Sequence, residues 1–560
     1  MIRVLTRHIV TPLGGNLAAN WEALLAGQSA LRRYEGNASL PEPYVASKFD
    51  DRTPLPGHTL FETWVVRALR DALAQTAVDT ASPRTLFILS STKGNISLLE
   101  TNPATEAALL PVAAANIARS VGFTSEPLVV SNACISGVAA QVIAMRLLQA
   151  GSCDTAVIAG ADVQDRFIIS GFQSFKALAP EPCRPFDAAR QGLNAGEAVA
   201  VMVLQNVPDN EVAETDWVLL RGAVRNDANH ISGPSRTGEG SYQALQSILE
   251  DVNTEALAFV NAHGTATPYN DEMEAKAITR AGLQNVPVNG YKGYYGHTMG
   301  AAGLLETILS QQAVDCHTVV GTRGFETAGV SLPLRLSATH HPTGRQAFVK
   351  LLSGFGGCNA AVLWARKGAI PELLPRGMEP KPGLPRLREI ATFSLSDTSL
   401  TELYRSCVGD YPKFYKMDPL CRLGFIASEL LLRKAARSGQ EPAPAVILFS
   451  RAGSLCDDLR YQATIKPDSF FPSPAIFVYT LPNIVTGEIC IRNGWNTESS
   501  MFLLPHKDWN RMLSVVRAAM MDAHASRVLC GWVDAPDEDR FEADLRLLQK
   551  DFFDSTDFSD

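Results

Sequence analysis

Residues 131–151, SNACISGVAAQVIAMRLLQAG, spell a helix without a polar face. Val138, Ala139, Val142, Ile143, Met145, Leu147 and Leu148 carry apolar side chains nearly all the way round its turns, so the helix must be covered on every side. The strands around it agree. PLVV (127–130), TLFILSST (85–92), DTAVIAGADV (154–163) and EAVAVMVLQ (197–205) are near-continuous apolar runs, the pattern of strands in a sheet with helices on both faces. VVRALRDALAQT (65–76) has helical spacing. After residue 215 the alternation starts again. SYQALQSILEDV (241–252) is a helix, ALAFVNAHG (256–264) a strand ending in a polar turn, and GAAGLLETILSQQAV (300–314) a helix. FVKLLSGFGGCNAAVLWAR (348–366) reads as a strand, a glycine-rich turn and a second strand. The first 367 residues therefore divide into two α/β halves, 1–215 and 216–367. Residues 368–387 carry five prolines without a sustained period and read as a linker. The α/β alternation resumes over 388–545, and 546–560, ending in DFFDSTDFSD, reads as an acidic surface tail.

Composition narrows the classes. The 560 residues are 46% hydrophobic and 19% charged, as in an ordinary soluble protein. A net charge of -8 with no basic run argues against nucleic acid as a partner. No apolar run approaches the roughly 18 residues that span a bilayer, and MIRVLTRHIVTPLGG lacks a signal-peptide apolar core; no membrane and a cytoplasmic location are expected. The ten cysteines form no CxxC pair and no zinc-ligand spacing. Reduced thiols and no metal are the expectation.

Cys134 opens the apolar helix from a small-residue turn. The free N–H groups of a first turn and the helix dipole stabilise negative charge, so a lowered thiol pKa and a thiolate nucleophile are expected. On this stretch alone a small buried hydrophobe remains an equal reading. Other reactive types also sit at strand ends. His263 follows the strand AFVNA, Lys292 and His297 precede an apolar helix, and GFGG (354–357) links two strands. Strand-end loops are where α/β folds place active sites. Singly, each histidine is an ordinary core or turn residue; with Cys134 they make a nucleophile-and-base set.

The segments NACISG, AHGTATPYND, KGYYGHTMGAAG and SGFGGCN resemble, in order, the four active-site segments of decarboxylating β-ketoacyl-[acyl carrier protein] synthases. TPLGGNLAANWEALLAGQSAL (11–31) and CRPFDAARQGLNAGEAVAVMVL (183–204) resemble that family's N-terminal and central segments, so the likeness spans residues 1–367. It implies a thiolase-like fold of two pseudo-symmetric halves, layered αβαβα. It implies that Cys134 accepts the acyl chain, that His263 and His297 polarise the malonyl thioester, and that Lys292 supports the site with Glu306 as its acidic partner. Thr265 and Thr267 would bind the phosphopantetheine arm. Phe355 would be the mobile gate whose N–H joins that of Cys134 in an oxyanion hole. The substrates travel on the 4'-phosphopantetheine of acyl carrier protein, and no cofactor is needed. A histidine at 297 fits the elongating Cys-His-His class; chain-initiating relatives have asparagine there, and silent chain-length-factor relatives lack the cysteine. Ser353 and Cys358 depart from the family's usual Phe and Thr, which bears on pocket shape and gating. A non-catalytic chain-length-factor-like subunit and a thiolase-fold acyltransferase or hydrolase are the alternatives.

The chain also resembles itself. GFTSEPLVVSNAC (122–134) falls on GWNTESSMFLLPH (494–506) and CDTAVIAGADV (153–163) on ASRVLCGWVDA (525–535), both 372 residues on. RTLFILSSTKGNISLL (84–99) resembles PAVILFSRAGSLCDDL (444–459). Residues 388–545 thus read as a degenerate, non-catalytic copy of the synthase's N-terminal half, with His506 at the position of Cys134. The copy is expected to act as a partial pseudo-subunit, packed in cis or across a homodimer or heterodimer. This extra half points towards a specialised polyketide or polyene pathway rather than housekeeping fatty acid synthesis.

Overall fold

The structure, a computed structural model, describes residues 1–377, 383–396, 398–435 and 441–551. The first half consists of β1 (Ile2–Val10), α1 (Leu60–Leu73), β2 (Thr85–Ser90), α2 (Leu110–Val121), β3 (Leu128–Val130), α3 (Ser136–Gln149), β4 (Thr155–Asp162) and β5 (Ala198–Asn206). Its strands lie in the order β1-β5-β4-β2-β3, with β2, β3 and β4 parallel and β5 antiparallel to both neighbours.

The second half contributes β6 (Trp217–Asn226), β7 (Leu257–Asn261), α4 (Pro268–Arg280), β8 (Val288–Asn289), α5 (Ala302–Asp315), β9 (Ala347–Gly354) and β10 (Cys358–Arg366), in strand order β8-β7-β9-β10-β6. The sheets of the two halves pair edge to edge at Arg3 and Val218. Between their sheets lie α3 and α5, each touching strands of both halves. Every residue of α3 from Ser136 to Leu148 is buried, as its all-round apolar sequence requires. The crossing of α3 and α5 is too close for side chains: a Cβ on Gly303 would lie 2.5 Å from the Val138 nitrogen, and one on Gly137 2.8 Å from the Leu304 nitrogen. This layering is the expected thiolase-like fold.

The third region repeats the first. Its elements are β11 (Leu387–Ser396), α6 (Pro419–Ala435), β12 (Ala445–Ser450), α7 (Ile484–Asn493), β13 (Ser499–Leu503), α8 (Trp509–Ala519), β14 (Arg527–Asp534) and β15 (Glu542–Lys550), with strand order β13-β12-β14-β15-β11. Strand for strand this is the order and direction of the first half. The regions join through antiparallel pairing of β3 with β13, which makes one fifteen-stranded sheet. Val130 faces Phe502, its own counterpart 372 residues on, and Val129 faces Leu503. The pairing is therefore centred on a local pseudo-twofold axis, the geometry of a self-complementary dimer contact made within one chain. Behind it, Arg146 on α3 binds Glu498 at 2.7 Å and Asp522 at 3.2 Å, and Arg225 binds Asp522 at 2.7 Å. All four side chains are at most 7% exposed. Burial opposes ionisation of Asp522, but Arg225 and Arg146 outweigh it and hold the carboxyl well below the usual range.

Two sequence boundaries move. The tail read over 546–560 includes the end of β15, where Ala543, Leu545 and Leu547 alternate into the core; residues 552–560 lie outside the described residues. The linker read over 368–387 begins with a short helix, Ile370–Leu373, whose Ile370, Leu373 and Leu374 bury against the second half. Residues 378–382 of the linker lie outside the described residues. Among the described residues no single helix is long and apolar enough to cross a membrane.

Candidate active site

Cys134 sits in a short turn, Ala133–Ile135, between β3 and α3. Ala133 is held at φ +47, a left-handed conformation that an L-residue adopts only under constraint. Ser136 supplies that constraint: its Oγ accepts from the Asn132 N–H at 2.8 Å and donates to the Ala133 carbonyl at 2.6 Å. Cys134 is half-buried and lines a cavity of about 260 Å³.

His263 reaches the same point from the turn after β7, and His297 from the turn before α5. Cys134 Sγ and a ring nitrogen of each histidine lie within 4.8 Å of one another. The imidazole centroids are 5.1 Å apart with ring planes at 83°. His297 Nδ1 accepts the Met299 N–H at 3.2 Å, which leaves Nε2 as the N–H donor. That Nε2 has no partner among the described residues. Burial, and then the charge of Lys292, push both histidines well below their ordinary value, so both are neutral at neutral pH.

The thiol behaves otherwise than its helix position predicts. Lys292 and the N–H groups of Cys134 and Phe355 favour the thiolate, but burial outweighs them and pushes the thiol up to about 12. The expected lowering fails because the same coverage that the apolar helix demands also removes water from the sulfur. Both amides lie close enough to the sulfur to favour its charge, which places them where an oxyanion hole would need its donors.

Lys292 Nζ donates to the His263 carbonyl at 2.7 Å and to Glu306 Oε1 at 2.7 Å. Thr265 and Thr267 join hydroxyls at 2.8 Å and line the cavity with Phe355. The eight residues singled out from the sequence thus converge on one place. Cys134, His263 and His297 are also the one cluster, among the described residues, whose donor atoms converge closely enough to suit a metal ion.

Sequence reasoning missed several neighbours. Glu274 on α4 accepts the N–H of His263 and, at 2.9 Å, that of Gly264. Asp162, at the end of β4, accepts Ser91 Oγ at 2.9 Å and Gly300 N at 2.7 Å, tying the loop after β2 to the His297 loop. Lys350, the one charge in AFVKLL of β9, was signalled only by its oddity there. No local signal marks Phe477 and Leu481, which line the cavity from the third region. Asn483 likewise donates from that region to the Phe355 carbonyl at 2.8 Å. The two regions press close here: a Cβ on Gly487 would lie 2.4 Å from the Gly356 oxygen. His506 has no such surroundings. It lies exposed on the surface.

The comparisons with known proteins agree with this geometry. Residues 58–210 match the family described as beta-ketoacyl synthase, N-terminal domain, and 218–326 the beta-ketoacyl synthase, C-terminal domain. A 3-oxoacyl-[acyl-carrier-protein] synthase 2 of Vibrio cholerae is 26% identical over 404 residues, 64% of this chain and 97% of that protein. Over residues 58–326 the chain is therefore similar to both domains of the β-ketoacyl synthases. A synthase of the same name from Rhizobium meliloti is 31% identical over 254 residues, covering 42% of this chain and 60% of that one. Among solved structures, a ketosynthase in complex with its chain length factor from Xenorhabdus doucetiae matches at TM-score 0.56 and 25% identity, over 65% of this chain and 98% of that one. A structure described as PfaC keto synthase-chain length factor matches at TM-score 0.80 and 14% identity, over 98% of this chain and 78% of that chain. The family's fold thus accounts for the first two thirds of the molecule, and the keto synthase-chain length factor fold for nearly all of it.

Proposed function

We propose that this protein catalyses decarboxylative Claisen condensation of a Cys134-bound acyl chain with a malonyl thioester on acyl carrier protein. The observation that carries the reading is the convergence of Cys134 Sγ and a ring nitrogen of each of His263 and His297 within 4.8 Å. In the first step the thiol proton passes to an imidazole in reach as Sγ attacks the acyl thioester. The tetrahedral oxyanion lies in the amides of Cys134 and Phe355, and the pantetheine thiol leaves with the proton. In the second step the malonyl carboxylate departs as CO₂, and the electron pair moves into an enolate whose oxygen accepts from the neutral imidazoles of His263 and His297. The enolate carbon then attacks the Cys134 thioester, releasing a β-ketoacyl thioester and expelling the sulfur as a thiolate, which takes up a proton from water to restore the thiol. Thr265 and Thr267 hold the phosphopantetheine arm, and no metal or redox group takes part.

The third region serves as a built-in, non-catalytic pseudo-subunit. Its seam with β3 stands where a second ketosynthase-like subunit would pair, and Phe477 and Leu481 form part of the wall against which the acyl chain lies. It thereby limits chain length, as the names of the relatives with a chain length factor say of those proteins. A product bounded in this way suits a specialised polyketide or polyene pathway. Mass spectrometry after incubation with acyl- and malonyl-carrier protein tests the reading. A β-ketoacyl-carrier protein is the expected product; free acid, or CO₂ without condensation, contradicts it.

A further inference from the structure

Behind the two imidazoles, one carboxylate faces two lysines. Glu306 Oε1 accepts from Lys292 and Glu306 Oε2 from Lys350, and none of the three side chains is more than 3% exposed. The motifs account for Lys292. Nothing in them asks for a second ammonium, and burying one without a counter-ion of its own is costly. Lys350 stands in β9 among Phe348, Val349, Leu351 and Leu352, all buried and apolar.

Its position ties it to His263. Lys350 Nζ donates to the Ala262 carbonyl at 3.1 Å, one residue before the histidine. Lys292 holds the His263 carbonyl, and Glu274 takes the His263 N–H. The two peptide units that flank His263 are therefore held by three buried charged side chains, Lys350 on the Ala262 carbonyl and Glu274 and Lys292 on the N–H and carbonyl of His263. Burial pushes the Lys350 ammonium down to about 8 against the pull of Glu306, which leaves it mostly protonated at neutral pH, so two ammoniums against Glu306 leave one positive charge in excess. Glu274, pushed up to about 7 by burial, offsets it only in part. Other ionisable groups around this cluster are Cys134, Cys183 beside Lys292, Tyr291 beside Glu306, Asp271 beside Glu274, and Asp162 behind Gly300.

We propose that Lys350 is a second positioning residue of the condensing site, which fixes His263 and lends positive charge to enolate formation without touching substrate. This rests on the condensing reading above. When the malonyl carbon–carbon bond breaks, the negative charge moves from the departing carboxylate to the thioester oxygen, against the two imidazole N–H groups. Positive charge behind those groups favours this shift. Acyl loading gains less, because its oxyanion lies in the Cys134 and Phe355 amides.

The test uses full-length Lys350→Met, Lys350→Gln and Lys350→Arg. The Met variant leaves Lys292 and Glu306 as a neutral pair; the Gln variant keeps a donor for the Ala262 carbonyl without the charge. CO₂ release from malonyl-carrier protein and single-turnover acylation of Cys134 are measured separately. Both neutral variants are expected to lower kcat for CO₂ release about 10- to 100-fold, with KM and acylation within about threefold of the wild type. Lys350→Arg should recover most of the loss. Unchanged CO₂ release in the neutral variants, or an equal fall in both half-reactions, overturns the proposal. A wild type that loads acyl chains yet releases no CO₂ overturns the condensing reading itself and this role with it.

Discussion

The first and third regions share five strands in one order, yet only one of them holds chemistry. In the first, the turn after β3 places Cys134 under the loops of the second half, which supply His263, Lys292 and His297. In the third, the turn after β13 carries His506 into solvent. The difference is one of coverage. Among the described residues no second half lies over the copy, so the same strand–turn–helix unit opens onto water there and no partner residue converges on it. A nucleophile turn alone is thus not a site in this fold; the opposing half makes it one. What the copy keeps is the other face of the unit, the β13 edge and α8, and with these it pairs to the catalytic half.

The strongest way to break this contrast is to exchange the roles. Cys134→Ala should abolish covalent acyl loading, a loss of about a thousandfold or more in condensation, whereas His506→Ala should leave loading and turnover unchanged. Intact-mass spectrometry of the acylated protein reads both. Next in size is the seam. Asp522→Ala strands Arg225 in a buried place and leaves Arg146 with Glu498 alone, which costs about 3–5 kcal/mol and should lower the thermal unfolding midpoint by several degrees. The pH dependence has a definite sign. A carboxyl held below its unfolded value stabilises the fold above about pH 4 and loses that contribution as pH falls towards its folded value. Wild-type stability should decline over that acid range more steeply than that of Asp522→Asn. Phe477→Ala sharpens the comparison from the cavity side. It removes a wall contributed by the copy, at about 3–5 kcal/mol of stability, and should shift the products to longer chains. Asn483→Ala, which frees the Phe355 carbonyl, is the smallest change, about 1 kcal/mol; acylation by long-chain substrates should alter by about fivefold.

Much of this was legible in the sequence, for reasons that can be named. Near-continuous apolar strands and a helix apolar all round permit only a layered α/β fold. The site residues stood out because reactive side chains at strand ends lie in small-residue turns, where bulk is excluded. Glu274 did not, since PYNDEMEAKAITR is polar on most faces and looks like a solvated helix. The end of β15 was lost for a related reason: in EADLRLLQK the charges Glu542, Asp544 and Arg546 mask the inward alternation of Ala543, Leu545 and Leu547. Phe477, Leu481 and Asn483 act on the cavity from more than a hundred residues away in sequence. Their role depends on how the copy docks, which no local pattern encodes. The Cys134 thiol shows the same limit, because its environment is set by burial from the second half rather than by its own helix.

The most direct test of the central claim, that one chain carries a catalytic half-pair and its own inert pseudo-subunit, is light scattering with activity on the 60.5 kDa chain and on its residues 1–377. The account predicts that the truncated protein, with β3 and α3 uncovered, self-associates or precipitates and loses the chain-length limit of the full chain. A truncated protein that stays soluble, keeps the oligomeric state of the full chain and makes the same products at the same rate would contradict it.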